Sequence, residues 1–167
     1  EKWYDEISNL TNLLSTQIQD IRRILYDLRP LILDNYGLIP AVESYVHGLQ
    51  EKHSLPVEIS TSGESNRLES NTEVTLFRIL QEALTNVMKH AHATQVKVKL
   101  DITEAEATLE VADNGTGMDP ALLATGQARN CLGLASIQER ALLLAGICNI
   151  DSQPGKGTRI LVKIPLN

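Results

Sequence analysis

The sequence predicts an α+β fold in which helices cover one face of a mixed sheet. Two observations carry this prediction: segments with period-two alternation come in hairpin-like pairs, and longer segments with helical periodicity separate those pairs. The strict strand–helix–strand alternation of a doubly wound parallel sheet is missing. With 167 residues, the chain has room for one domain with a helical appendage.

The composition excludes several classes of protein. Hydrophobic residues make up 43% and charged residues 22% of the chain, which excludes wholesale disorder and fibrous proteins. No apolar run approaches the roughly 18 residues of a membrane span, and the net charge of −6 does not favour binding to nucleic acid. Cys131 and Cys148 form neither a CxxC pair nor a metal cluster with the histidines, so we expect a reduced, cytoplasmic setting. The first residue is Glu1 rather than Met, so we expect a piece of a longer protein.

Residues 3–28 are predicted to form one long helix, because apolar residues recur at heptad spacing. The stripe consists of Ile7, Leu14, Ile18, Ile21, Leu25 and Leu28. Pro30 ends the helix by pushing Arg29 out of the α region. A single amphipathic helix cannot bury its own stripe, so its partner is either another helix or the rest of this chain.

A short connector and a second helix follow. Pro40 sits where a first helical turn begins, and apolar residues at helical spacing continue the helix to about His53. Residues 57–60 alternate and are predicted to form an edge strand. The polar stretch 61–71 is predicted to be a loop or hairpin.

The third helix is predicted from Glu73 to Ala91, with Ser70 or Asn71 as its cap. At 100° per residue, one side is apolar and comprises Phe77, Leu80, Leu84, Val87 and Ala91. The opposite side carries Glu82, Asn86, Lys89 and His90. An acid, an amide and cations together can hold a hydrated Mg²⁺ and a phosphate. The alternative is an ordinary solvated helix face.

The C-terminal half is predicted to contain two pairs of strands around a fourth helix. In chain order we expect strands 96–102 and 108–112 joined through 104–106, a glycine-rich segment 113–133, a helix 134–144 that stops at Gly146, a strand 147–151, a turn 154–157 and a strand 158–164.

The segment after the third strand could meet a nucleotide base. Asp113 ends the predicted strand, and Gly115 and Gly117 follow it. This spacing fits an ordinary turn. It also places a carboxylate where an exocyclic amino group such as that of adenine can donate to it, with glycines that allow close approach of the backbone.

Two further glycine segments lie downstream. Residues 132–134 open a helix, and the free N–H groups of a helix N-terminus attract phosphate. Residues 155–158 lie between two strands, so they do not form the strand–loop–helix unit of a Walker A motif.

In this order the segments resemble the N, G1, G2 and G3 boxes of the GHKL ATPases. They are Glu82-x-x-x-Asn86-x-x-Lys89-His90, Asp113-x-Gly115-x-Gly117, Leu132-Gly133-Leu134 and Gly155-x-Gly157-Thr158. Within that superfamily the chain is similar to sensor histidine kinases of the DegS, NarX, LiaS and DesK type, above all to the DegS type. The stretches that carry this second resemblance are 21–30, 33–34, 37–38, 81–86 and 138–141.

The resemblance implies a two-layer α/β sandwich of the Bergerat type. Residues 1–30 would be the second helix of a dimerisation and phosphotransfer region, and residues 31–167 a GHKL-type ATP-binding catalytic domain. It also implies Mg-ATP as the nucleotide and a homodimer formed through the N-terminal helices. A response regulator of the NarL/FixJ type would receive the phosphoryl group.

The resemblance implies a role for each residue of the boxes. Glu82 would polarise or deprotonate the attacking group, and Asn86 would ligate Mg²⁺. Asp113 would hold the adenine amino group, and residues 118–132 would form a short lid over ATP. The other nucleotide-binding residues implied by the match are Lys89, His90, Gly115, Gly117, Leu132, Gly133, Leu134, Gly155, Gly157 and Thr158.

Two features depart from the family pattern. Cys131 stands where the first glycine of Gly-x-Gly-Leu is usual, and Gly126 is the alternative glycine. No histidine of the chain is followed by the acidic residue that marks the phosphoacceptor. We therefore expect the acceptor to lie outside this chain, and His47 and His53 to be surface residues of the second helix.

The expected function is transfer of the γ-phosphoryl group of Mg-ATP to a histidine in a two-component signalling kinase. One rival is an anti-sigma-factor serine kinase, a member of a family with the same pocket that lacks the helix ending at residues 28–30. The other rival is a catalytically silent nucleotide-binding or dimerisation module, which an ATP titration would discriminate.

Overall fold

A computed structural model describes residues 31–63, 68–119 and 131–166. The helix predicted over 3–28 and nearly all of the predicted lid lie outside these ranges. The described elements are α1 (Leu31–Tyr36), α2 (Leu38–His53), β1 (Val57–Ser62), α3 (Ser70–Asn86) followed by a π-helical turn (Val87–Ala91), β2 (Val96–Ile102), β3 (Glu106–Asp113), α4 (Cys131–Leu143), β4 (Ile147–Ser152) and β5 (Thr158–Pro165). Among them, no helix has the length and apolarity needed to cross a membrane.

The described strands form a five-stranded mixed sheet in the order β1-β2-β3-β5-β4. β1 and β2 run parallel, beginning at the pair Val57–Val96, and the other neighbouring pairs are antiparallel. The parallel pair requires a crossover, which α3 supplies. The α+β class, the mixed sheet and the edge position of β1 are therefore confirmed.

The hydrophobic core lies between one face of this sheet and the helices. Every second residue of β2 is buried, and the alternation continues in register across β3 and β5. The buried rows across these strands are Val98–Val111–Ile160, Leu100–Leu109–Val162 and Ile102–Ala107–Ile164. α3 contacts β3 and α4, and α2 packs on α3 and β1. The predicted two-layer arrangement is thus confirmed.

The opposite face of the sheet is polar. Arg159 donates to both carboxylate oxygens of Glu110, at 2.8 and 3.0 Å, and Lys163 Nζ lies 3.0 Å from Glu106 Oε1. Exposed ion pairs of this kind contribute about 0–1 kcal/mol each. They identify the side of the sheet that faces solvent.

Residues 31–36 form the short helix α1, where the sequence predicts a connector. Its Leu33 is fully buried, so packing of one side chain stabilises a helix too short for its periodicity to be detected. Gly37, at φ 84°, separates α1 from α2. Its N–H donates to Leu33 O at 3.1 Å.

α2 begins and ends where the sequence predicts. Pro40 lies in its first turn, and it ends at His53 before Ser54, which adopts the left-handed conformation and donates its N–H to Gln50 O at 2.9 Å. His47 and His53 are both exposed. They are therefore surface residues, as expected.

Replacing Gly48 by alanine is expected to raise the free energy of unfolding by about 0.5–1 kcal/mol. Gly48 is exposed within α2, and a Cβ there would meet no heavy atom within 4 Å. Urea denaturation of both proteins measures the difference. A lower free energy of unfolding for the variant would contradict this account of α2.

α3 starts earlier than predicted, at Ser70, and its cap is Glu69 rather than Ser70 or Asn71. The cap prediction is wrong because a buried carboxylate supports this end of the helix: Glu73 Oε1 accepts from the N–H of Leu68 at 3.2 Å. The apolar side predicted for α3 is confirmed, since every residue assigned to it is buried.

The C-terminal half follows the predicted order with extended boundaries. β3 starts at Glu106 rather than residue 108, and α4 starts at Cys131 rather than residue 134. α4 ends before Gly146, whose N–H donates to Ala141 O at 2.9 Å. A Cβ at Gly146 would collide with the backbone oxygen of Lys163 as well as with the tip of the Ile164 side chain, which explains the glycine.

Candidate functional site

Asp113 is the last residue of β3, and its carboxylate is half-buried. The N–H of Gly115 donates to Asp113 Oδ1 at 2.7 Å, and the backbone N–H of Thr158 donates to the same carboxylate. Burial raises the pKa of Asp113, and these two bonds oppose the rise only in part. The carboxylate is therefore suited to accept a further hydrogen bond from a ligand.

Asn114 fixes the loop that follows β3. Its Oδ1 accepts from the N–H groups of Thr94 and Gln95, both at 3.0 Å, and its Nδ2 donates to Thr94 Oγ1 at 2.9 Å. The side chain thus ties the Asp113 loop to the segment that precedes β2.

The π-helical turn at the end of α3 presents its last carbonyls to the same loop. The N–H of Thr116 donates to Ala91 O at 2.7 Å, and Gly115 packs so closely that a Cβ there would collide with the same oxygen. The sequence predicts one continuous α-helix to Ala91, and this wider turn is a difference from it. π-Helical turns occur frequently at functional sites, and this turn carries Lys89 and His90.

Gly117 and Gly157 bring the Asp113 loop and the β4–β5 turn into backbone contact. Both adopt positive φ, +63° and +78°. A Cβ at Gly117 would collide with Gln153 O, and one at Gly157 with Asp113 O. The chain's own backbone therefore occupies the space that these glycines leave open.

Gly157→Ala is expected to lower the free energy of unfolding by about 3–5 kcal/mol, because the strain of positive φ adds to a collision with the Asp113 backbone. Gly155→Ala is the matched control. Gly155 has φ +76° in the same turn, but a Cβ there would meet nothing within 4 Å, so about 1–2 kcal/mol is expected. Equal losses in chemical denaturation would refute the contact.

Glu82 and Asn86 lie one helical turn apart on α3 and face the first turn of α4. A Cβ at Gly133 would collide with Glu82 Oε1 and lie 3.1 Å from both Asn86 Oδ1 and Nδ2. Within the described residues, Asn86 Nδ2 is buried without a hydrogen-bond partner. An unpaired buried amide costs about 1–3 kcal/mol, so this atom marks a place for a ligand.

A cavity of about 120 Å³ lies between α3, the end of β3, the start of β5 and the start of α4. It is lined by Ala83, Asn86, Val87, His90, Ala91, Val111, Asp113, Thr116, Gly117, Met118, Leu134, Thr158 and Ile160. Six of the residues singled out in the sequence therefore meet there: Asn86, His90, Asp113, Gly117, Leu134 and Thr158.

The remaining candidates lie around this cavity or away from it. Glu82 and Gly133 adjoin its Asn86 side, and Lys89 is exposed without lining it in the described part of the chain. Gly155 lies at the tip of the β4–β5 turn. The side chains of Cys131 and Leu132 fall outside the described structure, so the question raised by Cys131 stays open.

Sequence reasoning missed Ser152, a buried hydroxyl at the end of β4. It accepts from the N–H of Met118 at 2.8 Å and contacts Gly157 O at 3.1 Å and Thr158 Oγ1 at 3.0 Å. The period-two alternation along β4 predicts that the side chain of Ser152 faces inward, and this alternation is the signal by which the sequence could have identified it. The apolar walls of the cavity were also missed, because they belong to the core pattern.

A larger groove, of about 670 Å³, lies next to the β2–β3 turn and the end of α4. None of the candidate residues lines it, and it carries the carboxylates of Glu69 and Glu104. Because six of the candidate residues meet in the smaller cavity and none lines this groove, the smaller cavity is the better nucleotide site despite its size. Within the described residues, no group of three His, Cys, Asp or Glu could hold a metal ion.

Comparison with known proteins decides the family. The model of the histidine kinase-, DNA gyrase B- and HSP90-like ATPases matches residues 71–167. This chain belongs to that ATPase family. The match begins inside α3 and covers every described residue that lines the cavity.

Two curated relatives of this ATPase chain are histidine kinases by name. The signal transduction histidine-protein kinase/phosphatase DegS of Brevibacillus brevis is 36% identical over 161 residues, which are 96% of this chain and 41% of the relative. An uncharacterised sensor-like histidine kinase of Chloroflexus aurantiacus is 35% identical over 165 residues, 96% of this chain and 28% of the relative. The chain therefore spans less than half the length of either relative.

Solved structures of histidine kinases share the fold of this family member. The histidine kinase domain of the Erythrobacter litoralis EL346 blue-light activated kinase matches with a TM-score of 0.56 and 20% identity, over 74% of this chain and 57% of that one. The mycobacterial sensor histidine kinase MprB matches with a TM-score of 0.56 and 21% identity, over 76% and 93%. These likenesses agree with the Bergerat-type sandwich expected from the sequence.

Proposed function

We propose that this chain binds Mg-ATP in the cavity between α3, the end of β3 and the start of β5, and transfers the γ-phosphoryl group to a histidine outside the chain. One observation carries the proposal: the same cavity holds the half-buried carboxylate of Asp113 and the unpaired buried amide of Asn86. Membership of the ATPase family and the names of the two relatives support it.

Asp113 is proposed to recognise the adenine base. Its ionised carboxylate only accepts hydrogen bonds, so it pairs with the exocyclic amino group of adenine and not with a carbonyl oxygen. Val111, Leu134 and Ile160 give the cavity apolar walls on which a planar base can pack. Thr158 lies beside Asp113 and shapes the same end of the site.

Asn86 is proposed to bind the nucleotide phosphates together with Mg²⁺. Its amide oxygen is a suitable ligand for Mg²⁺, and its unpaired Nδ2 can donate to a phosphate oxygen. Lys89 and His90 follow on the π-helical turn and would neutralise phosphate charge. The first turn of α4, at residues 132–134, would add backbone N–H groups.

Glu82 is proposed to act on the attacking group. It precedes Asn86 by one turn of α3, so its carboxylate can take the proton of the attacking imidazole while Asn86 holds the phosphates in place. ATP supplies the phosphoryl group, and catalysis consists mainly of positioning and neutralising charge. Gly133 leaves the space in which both side chains lie. The glycines at 115, 117, 155 and 157 are proposed to shape the rest of the site.

The larger assembly is also a proposal. Residues 31–167 would be the catalytic domain, and residues 1–30 the second helix of a dimerisation region through which two chains pair. This chain would be the cytoplasmic kinase part of the intact protein, which passes the phosphoryl group to a NarL/FixJ-type response regulator. Support comes from the likeness to DegS, which extends over 96% of this chain.

Titration of ATP with and without Mg²⁺ tests the proposal. The wild type is expected to bind ATP more tightly when Mg²⁺ is present. Asn86→Ala is expected to lose most of that gain, while metal-free ATP still binds, because Asp113 and the apolar walls are unchanged. Isothermal titration calorimetry measures all four affinities.

Asn149→Ala is the matched control, since Asn149 is an exposed asparagine of β4 that does not line the cavity. It is expected to behave as the wild type. A wild type that binds no ATP would reject the function, and an Asn86 variant with the full Mg²⁺ effect would reject only the role of Asn86.

A further inference from the structure

Ser152 connects three parts of the candidate site through one hydroxyl. Its Oγ lies 2.8 Å from the Met118 N–H, 3.1 Å from Gly157 O and 3.0 Å from Thr158 Oγ1. Ser152 does not itself line the 120 Å³ cavity within the described structure, whereas Met118 and Thr158 do. Any effect of Ser152 on a ligand in that cavity must therefore pass through its neighbours.

The protons of these groups can satisfy all three contacts in only one arrangement. The Met118 N–H can only donate, and Gly157 O can only accept, so Ser152 must give its single proton to Gly157 O. The contact between the two hydroxyls then requires Thr158 to donate its proton to Ser152 Oγ. Ser152 is thereby saturated, with two accepted bonds and one donated bond.

This arrangement determines what Thr158 can offer to the cavity. Its only hydroxyl proton is used in the bond to Ser152, so Thr158 Oγ1 can only accept a hydrogen bond from a ligand. Asp113 beside it, when ionised, is also only an acceptor. At the polar end of the cavity, the side chains of Asp113 and Thr158 therefore offer a ligand hydrogen-bond acceptors and no donor.

We propose that Ser152 is a positioning residue that orients the Thr158 hydroxyl as an acceptor and so makes the site prefer a purine with an amino group over one with a carbonyl group. The inference rests on the proposed function, because it concerns selectivity among nucleoside triphosphates bound in that cavity. A second consequence is that Ser152 holds the backbone of Met118, which lines the cavity.

The test compares ATP with inosine triphosphate, which carries a carbonyl oxygen in place of the amino group. The measured quantity is the ratio of the two dissociation constants in the presence of Mg²⁺. Ser152→Ala frees the Thr158 proton to turn toward the cavity, so the preference for ATP is expected to fall about tenfold, equivalent to one hydrogen bond. Ser152→Thr retains the hydroxyl and is expected to keep the wild-type ratio.

Ser62→Ala is the matched control. Ser62 also makes a side-chain hydrogen bond, to Asp101 Oδ1 at 2.6 Å, but on β1 away from the cavity. It is expected to leave the ratio unchanged. A purely structural role for Ser152 would weaken both nucleotides equally, and an unchanged ratio in Ser152→Ala would overturn the inference while leaving the proposed function intact.

Thr158→Val keeps the test decisive if Ser152→Ala does not fold. It removes the hydroxyl of Thr158 and leaves the bonds of Ser152 to Met118 and Gly157, so the ATP preference is again expected to fall. A Thr158→Val protein with the wild-type ratio would overturn the inference. A wild type that binds neither nucleotide would overturn the proposed function and this inference together.

Discussion

Replacing Asp113 by alanine is expected to weaken ATP binding about 100-fold. A hydrogen bond to an ionised carboxylate contributes about 1.5–3 kcal/mol, and each 1.4 kcal/mol is a factor of ten. Asp113 is half-buried, so its bond to a ligand is shielded from water. Calorimetric titration of ATP into the wild type and the variant measures the change.

Asp151→Ala is the control for this variant, because Asp151 is an exposed carboxylate on β4, which β5 separates from β3. Its ATP affinity is expected to equal that of the wild type. GTP carries a carbonyl where adenine has its amino group, so it should bind the wild type poorly. Equal curves for ATP and GTP would refute the assignment of Asp113.

The pH dependence of binding provides a second check on Asp113. Burial raises its pKa, and only the ionised carboxylate accepts from the amino group with full strength. ATP affinity is therefore expected to fall as the pH decreases through this raised pKa. The fall begins at a higher pH than for an ordinary aspartate, and Asp113→Ala should not show it.

Replacing Glu82 by glutamine is expected to slow phosphoryl transfer by about 10²–10⁴-fold while ATP affinity changes less than about twofold. The amide fills the same space beside Gly133 but cannot take a proton, and removal of a general base has effects of this size. The acceptor is a longer form of this protein that carries the first dimerisation helix and an Asp113→Ala substitution. Label from radioactive ATP in that acceptor measures transfer.

Glu139→Gln is the matched control, because Glu139 is an exposed glutamate of α4. It should transfer at the wild-type rate. The isolated chain is expected to bind ATP without forming a stable phosphohistidine. Acid-labile label on the isolated chain, lost when His47 or His90 is replaced, would show that the acceptor lies within it.

The sequence predicted those parts of the fold that depend on local periodicity. The apolar side of α3 and the alternation of β2 follow directly from residue spacing, and both agree with burial in the structure. α4 ends before Gly146, and glycine is a residue type that predicts a helix end. α2 ends before Ser54, which adopts a positive φ that its residue type does not predict.

The features that the sequence did not predict depend on contacts between distant residues. The helix α1 exists because Leu33 is buried in a core built from later elements. The cap of α3 depends on the Glu73 carboxylate reaching Leu68. The π-helical turn forms where the backbone carbonyl of Ala91 accepts a hydrogen bond from the loop after β3. The periodicity of residues 87–91 does not predict this contact.

The candidate site divides in the same way. Its charged and glycine residues were predicted as an ordered set of motifs, and Asp113, Asn86 and Thr158 do line one cavity. Ser152 was not predicted, because its role in the site depends on three hydrogen bonds to groups outside β4. A hydroxyl at a strand end is too common to be informative until those segments are placed.

The parallel pairing of β1 with β2 has a consequence for the order in which the protein assembles and opens. β2 and β3 are joined by a tight turn, whereas β1 reaches β2 only after the chain has passed through α3. Closing the longer connection costs more chain entropy, so β1 and α2 should join the sheet late in folding and detach first in local opening. The described lining of the cavity takes no residue from β1 or α2. The N-terminal part could therefore loosen and re-form, for example under a pull from residues upstream, while the nucleotide cavity stays assembled.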